Sequence, residues 1–257
     1  MKDKYRQREE KLIRALATNK KLNVADAIEL LGVSKSTARR LFIDMEEKGV
    51  VVRSYGGVQL ATSEGYSFDI STQRYNEEKD LIGKAACTFV ENGDTIFMDS
   101  GTTMMGFALN LAQLLKEKAV ESLTIFTNSI ANLNILSPVT NITLIGGEYR
   151  PARKDFYGYL SEQMVENIHF TKCFLGTDGI AKNMRFTATD FQTASLNAVV
   201  LRHSSCRIIL FDHSKFSSTA LVTWGSLSDA EVIITDKKSD ARELAAITSA
   251  GKQLVTV

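Results

Sequence analysis

Seven short apolar runs, at 95–99, 123–127, 142–145, 172–177, 207–211, 231–235 and 253–257, alternate with helical stretches at 77–90, 102–118, 129–136, 161–167, 191–204 and 240–250. Continuous apolar runs are strands buried on both faces, and strands joined through helices pair in parallel. The alternation predicts an α/β domain over residues 76–257: a mostly parallel sheet with helices on both faces. In such open sheets ligands bind outside the carboxyl ends of the strands. Function is therefore sought in the turns that close the runs.

The first 60 residues have a different texture. Periodic apolar residues predict helices at 6–19, from 23 or 24 to 31, and at 34–48. Leu12, Ile13 and Leu16 share one stripe, and Ala27, Ile28 and Leu31 another. Gly32 ends the second helix, Ser34 can cap the third, and Gly49 stops it. Val50 to Arg53 and Val58 to Leu60 form a small hairpin around Ser54-Tyr55-Gly56-Gly57. A short helix, a glycine turn and a Ser-capped helix followed by a hairpin make a winged helix-turn-helix over residues 1–60. Residues 61–75 are polar, contain Gly65 and read as a linker.

The third helix opens with Ser34, Lys35, Ser36, Thr37, Ala38, Arg39 and Arg40. A helix in the major groove uses its N-terminal residues on base edges and flanking phosphates, and the forked donors of Arg match guanine. Lys35, Ser36, Arg39 and Arg40 can share the face opposite Ala38, Phe42 and Met45. Arg53 and Tyr55 of the wing would lie near a phosphate or the minor groove. Charge agrees: residues 1–60 hold 13 Lys/Arg against 8 Asp/Glu, and the remainder 18 against 22, so +5 and −4 sum to the net +1.

In the larger domain the richest turn is Asp99-Ser100-Gly101-Thr102-Thr103, between a strand and a helix. Free N–H groups at a helix N-terminus attract an anion; glycine lets it approach and hydroxyls add donors. Asn128, Gly146-Gly147 and Asp178-Gly179 close three further strands. No GxxxxGK[ST] and no dinucleotide-type GxGxxG occurs, so no nucleotide cofactor is expected. His169, His203 and His213 stand outside ligand spacing with one another and with the cysteines, so no metal is expected either. Cys87, Cys173 and Cys206, widely spaced and set among apolar residues, read as buried reduced thiols of a cytoplasmic protein. The polar N-terminus and the lack of a run near the roughly 20 residues needed to span a bilayer predict no membrane partner.

The run from Val33 to Leu60 resembles the head of the DeoR family, with its V-S-x-x-T…R-R core and a Gly-Gly wing. Leu41 stands where the family has Asp, and Tyr55 where it has His. The rest is similar to the family's sensor half: D-x-G-T-T at Asp99, T-N at Thr127, G-G at Gly146, F-L-G-x-D-G at Phe174 and D-x-S-K-F at Asp212. The resemblance implies a fold like ribose-5-phosphate isomerase and a sugar-phosphate ligand. It gives Ser100, Gly101, Thr102 and Thr103 to the phosphate, Asp99, Asn128 and Asp178 to sugar hydroxyls, and Lys215 the role of a cation. Thr193 and Asn197 replace a Glu and a Lys frequent in the family.

The expected function is a repressor of sugar-metabolism genes that binds a duplex DNA operator under the control of a phosphorylated sugar. Half-sites one helical turn apart imply a homodimer or homotetramer. The alternative is a sugar-phosphate isomerase or deaminase carrying a DNA-binding head, with Asp99, Asp178 and Asp190 as carboxylates and Lys215 or His213 as cation. No carboxylate–lysine grouping stands out, so no catalytic residue is expected. A third reading is a scaffold whose head lost DNA binding through Leu41.

Overall fold

A computed structural model describes residues 2–19, 21–47, 51–54, 57–60, 68–72, 76–216 and 218–257. The chain forms two compact units, Met1–Arg74 and Tyr75–Val257.

The first unit contains α1 (Lys2–Asn19), β1 (Lys21–Asn23), α2 (Val24–Leu31), α3 (Lys35–Glu47), β2 (Val51–Ser54), β3 (Gly57–Leu60) and α4 (Phe68–Thr72). Asn23 and Asp26 form a reciprocal capping box that starts α2, and Gly32 ends it at φ 61°. Thr37 N–H donates to Ser34 Oγ at 3.3 Å, the cap expected for α3. Leu12 and Leu16 of α1, Ala27 of α2 and Ala38, Leu41, Phe42 and Met45 of α3 close one core with Val51 and Val58 of the wing. The wing has a third strand that the sequence pattern did not suggest: the strand order is β1-β3-β2, all antiparallel. A Cβ on Gly57 would lie 2.2 Å from the Leu22 carbonyl oxygen, so only glycine permits this pairing. Within 61–75, the stretch read as a linker, α4 forms a helical turn and Phe68 is buried.

The second unit runs α5 (Asn76–Cys87), β4 (Thr95–Met98), α6 (Thr102–Lys116), β5 (Thr124–Thr127), α7 (Ile130–Leu136), β6 (Ile142–Leu144), β7 (Glu148–Arg150), β8 (Asp155–Tyr157), α8 (Tyr159–Glu166), β9 (Phe170–Gly176), β10 (Gly179–Ile180), β11 (Arg185–Ala188), α9 (Phe191–Arg202), β12 (Ser204–Leu210), β13 (Val222–Ser226), β14 (Val232–Thr235), α10 (Ala241–Ser249) and β15 (Gln253–Thr256). The seven strands expected from the apolar runs form one parallel sheet, β15-β14-β12-β9-β4-β5-β6. Alternate residues feed two cores. Ile96, Met98, Phe174 and Ile208 pack with α5 and α6 on one face. Phe97, Cys173, Leu175 and Ile209 pack with α8 and α9 on the other.

Chain order climbs outward in both directions from β4 and β9, so the strand order reverses between them. Crossovers leaving β4 and β9 go to opposite sides, which opens a crevice at their carboxyl ends. Two additions to the expected pattern border this region: the β7–β8 hairpin and a small antiparallel sheet β10-β11-β13. Among the described residues no helix is long and apolar enough to cross a membrane.

Candidate functional site

The head presents α3 with its polar face outward. Ser34, Lys35, Ser36, Arg39 and Arg40 are exposed, Thr37 is half-buried, and Ala38, Leu41, Phe42 and Met45 are buried. The Ser34 hydroxyl lies 3.0 Å from that of Ser36 and 2.9 Å from that of Thr37, so the three hydroxyls form one cluster at the helix start. Leu41 is 1% exposed. This position faces the core, so apolar packing, not the loss of a partner for the arginines, accounts for leucine here. Tyr55 lies outside the described residues, as does the side chain of Arg53, although its backbone is in β2.

In the larger unit the expected effector residues sit at strand ends. Asp99 follows β4 at the reversal point. Its backbone N–H donates to Phe174 O at 3.0 Å, and its carboxylate accepts from Gly176 N at 3.1 Å and Ser100 N at 2.7 Å. Burial raises Asp99 to about 7, with the neighbouring Asp155 and Asp178 charges adding to the rise and the two N–H donors opposing it. Gly101 starts α6 at φ 111° and makes no side-chain capping bond. Thr102 and Thr103, both mostly buried, form the first turn of that 15-residue helix. The helix dipole places partial positive charge at this start, beside the crevice.

Asn128 follows β5 and ties its end to the hairpin. Its Nδ2 donates to Phe156 O at 3.1 Å, while its Oδ1 is buried without a partner. Asn132, which the sequence reading did not single out, donates to Asp99 O at 2.9 Å and also has a buried Oδ1 without a partner. Lys215 lies half-buried in the turn after β12, where Asp212 caps the turn through Ser214 N. The glycines have backbone reasons of their own. A Cβ on Gly147, at φ 151°, would meet Ser161 Oγ and Tyr157 O at 2.3 Å, and one on Gly179 would meet Ser218 O at 2.1 Å. Gly146 and Gly147 border an open depression of about 610 Å³ with Leu160, Gln163, Met164, Asn167 and Ile168.

Asp178 and Asp190 were expected among the polar residues, but the arginines and Asp155 that gather them into a charged cluster were not. Arg150 makes a two-pronged bond to Asp155, Nε to Oδ1 at 2.8 Å and Nη2 to Oδ2 at 2.7 Å, with its guanidinium 4.6 Å from the centre of the Tyr157 ring. Ser100 Oγ donates to the same Asp155 at 2.9 Å, joining the β4 tip to the hairpin. Arg153 Nη2 bonds Asp178 at 3.1 Å, and Asp178 also accepts from Thr189 N at 2.8 Å. Asp190 lies within ion-pair distance of both arginines. Thr193 accepts from Arg150 Nη2 at 2.9 Å. The departure from the family pattern at 193 thus lies in the cluster itself, and Asn197, one turn on, is 2% exposed. The available signal was Arg150-Pro151-Ala152-Arg153-Lys154-Asp155, a charged turn two residues beyond a strand-end Gly-Gly.

Family models match both units: a DeoR-like helix-turn-helix domain over residues 8–64 and a DeoR C-terminal sensor domain over 74–237. The chain belongs to the DeoR family. Within that family it is 31% identical to the lactose phosphotransferase system repressor of Staphylococcus epidermidis over 219 residues, 82% of this chain and 84% of that protein. It is 28% identical to the HTH-type transcriptional repressor GlcR of Bacillus subtilis, covering 86% and 84% of the two chains. These DeoR relatives carry the names of transcriptional regulators, not of enzymes, and the isomerase alternative has no support among them. Ribose 5-phosphate isomerase from Plasmodium falciparum aligns with 55% of this chain and 52% of its own, at 19% identity and a TM-score of 0.41.

Proposed function

We propose that this DeoR-family protein is a cytoplasmic repressor of sugar-metabolism genes. It binds duplex operator DNA through Lys35, Ser36, Arg39 and Arg40 of α3, with Ser34 and Thr37 shaping the helix start and Arg53 and Tyr55 of the wing as further contacts. Its operator affinity is set by a phosphorylated sugar. The phosphate lies against Ser100, Gly101, Thr102 and Thr103; Asp99, Asn128 and Asp178 face sugar hydroxyls, and Lys215 supplies a cation. The protein acts as a homodimer or homotetramer, because a helix-turn-helix reads paired half-sites. Residues 61–75 link the winged helix-turn-helix of residues 1–60 to the sensor of residues 76–257.

The observation that carries this reading is the start of α6. A 15-residue helix opens at Gly101 without a side-chain cap, beside the point where the strand order reverses. An effector changes operator affinity only if it binds the two DNA-binding states unequally. The test is a thermal-shift panel of phosphorylated sugars, with operator binding measured for each hit. At least one should raise the melting temperature and change operator affinity. A panel without a hit would end the effector assignment. Arg39→Ala with Arg40→Ala should abolish the operator shift in a folded protein, because both side chains are exposed; retained binding would end the DNA-contact assignment.

A further inference from the structure

Arg150 and Arg153 divide their donors between two kinds of carboxylate. Asp155 is fully buried and holds Arg150 through Nε and Nη2, at 2.8 and 2.7 Å. Asp178 holds Arg153 through Nη2 at 3.1 Å. These contacts fix the two guanidinium groups. Further donors meet a third carboxylate: Arg150 Nη1 lies 2.8 Å from Asp190 Oδ1, and Arg153 Nε lies 3.4 Å from Asp190 Oδ2. The Asp190 side chain is 27% exposed against 0% for Asp155 and 19% for Asp178. It is the most exposed of the three carboxylates.

Asp190 has a second attachment. As N-cap of α9 it accepts from Thr193 N at 2.8 Å, and it also accepts from Thr193 Oγ1 at 3.1 Å. Its proton affinity is low although burial works against the charge, because Thr193 N–H and the two arginines hold the charged form. An oxyanion bridging two pre-aimed guanidiniums, joined through Asp155 to Ser100 at the β4 tip, has the chemistry of a phosphate site filled by a protein group.

We propose that Arg150 and Arg153 are a second oxyanion anchor of the effector site, beside the start of α6, and that Asp190 is their internal competitor. A phosphoryl group takes over Arg150 Nη1 and Arg153 Nε, and the Asp190 carboxylate gives them up. The exchange replaces one oxyanion by another, while Asp155 and Asp178 keep the guanidiniums in place. Because Asp190 also caps α9, ligand entry acts directly on the start of that helix. The inference rests on the phosphorylated-effector reading and names the residues that would tune it.

The test uses the full chain, with calorimetric titration of inorganic phosphate, ribose 5-phosphate and ribose. Asp190→Asn keeps a good capping residue but removes the charge. Phosphate and ribose 5-phosphate should bind this variant about tenfold tighter than wild type, the scale of one charge-assisted hydrogen bond, while ribose is unaffected. Arg150→Gln should lose the phosphate. Unchanged or weaker phosphate binding by Asp190→Asn overturns the inference, and so does an equal gain for unphosphorylated ribose. If wild type responds to other phosphorylated sugars while Asp190→Asn gains nothing, the effector reading stands and the competitor falls. If neither wild type nor variant binds any phosphorylated compound, both fall. Asp190→Ser, also a capping residue without charge, reads the same quantity should the asparagine variant fail to fold.

Discussion

Asp99 Oδ2 accepts the backbone N–H of Gly176 at 3.1 Å, tying the tip of β4 to the tip of β9 where the strand order reverses. The bond closes the floor of the crevice with a buried carboxylate. Burial raises this group from 3.8 to about 7, with Asp155 and Asp178 adding to the rise. A carboxyl raised on folding binds its proton more tightly in the folded state than in the unfolded state. Its contribution to stability is present in full below about pH 4 and is lost as pH rises through about 7. The difference between the melting curves of wild type and Asp99→Asn should therefore change between about pH 4 and 7, with wild type losing ground as pH rises. Parallel curves across that range would refute the assignment.

Gly83 and Gly106 let α5 and α6 cross backbone against backbone. A Cβ on Gly83 would lie 2.4 Å from the Gly106 carbonyl carbon, and one on Gly106 would lie 2.6 Å from Lys79 O. Alanine gains about 1 kcal/mol of helix propensity over glycine, but overpacking a rigid contact costs about 1–3 kcal/mol. Both neighbours here are backbone and cannot yield, so the cost wins. Gly83→Ala should lower the urea midpoint with an unchanged slope. A midpoint at or above wild type would show that the helices separate freely.

The large sheet was legible in the sequence because its inner strands are buried on both faces. In β14, Val232, Ile233 and Ile234 are all buried, and consecutive apolar residues on both sides of the backbone are what a central parallel strand requires. Glu148–Arg150 and Asp155–Tyr157 were not legible, since three residues are too few to show a period. Strand β1 was hidden for another reason. Lys21, Leu22 and Asn23 become a strand only by pairing with Gly57 to Gln59, far along the chain. The candidate site was half legible. Its hydroxyl and glycine turns follow strand ends in a recognisable way, but the links from Arg150 to Thr193 and from Arg153 to Asp178 join residues that only the fold brings together.

Lys172 Nζ lies 2.7 Å from both Asp94 Oδ2 and Glu91 Oε2 at the amino end of the sheet. Burial alone would raise Asp94, but Lys172 and Thr171 together outweigh it and hold the carboxyl below its usual range. Lys172→Met would leave Asp94 buried without its cation, at a cost of about 3–5 kcal/mol for a broken buried pair. A folded-state value below the unfolded one gives stability that is present above about pH 4 and lost as pH falls through the lowered value. The variant should lose its excess destabilisation in acid, so the two denaturation curves converge as pH drops. A penalty under about 1 kcal/mol, the range of exposed pairs, would show that water replaces the lysine.

The three cysteines give a direct reading of how tightly the sheet is packed. Burial pushes Cys173 and Cys87 each up to about 12, and it also raises Cys206, which is only half-buried. The thiolate is the reactive form, so a raised thiol is slow as well as shielded. In native protein at about pH 8, just below the ordinary thiol range, a thiol reagent should therefore modify Cys206 first and leave Cys87 and Cys173 until the chain unfolds. Denaturant should expose all three at once if the sheet melts as one unit, because Cys173 lies in β9 beside both β4 and β12. Rapid native labelling of Cys173 would mean that the centre of the sheet opens without global unfolding, and the fixed floor beneath Asp99 and Gly176 would be lost with it.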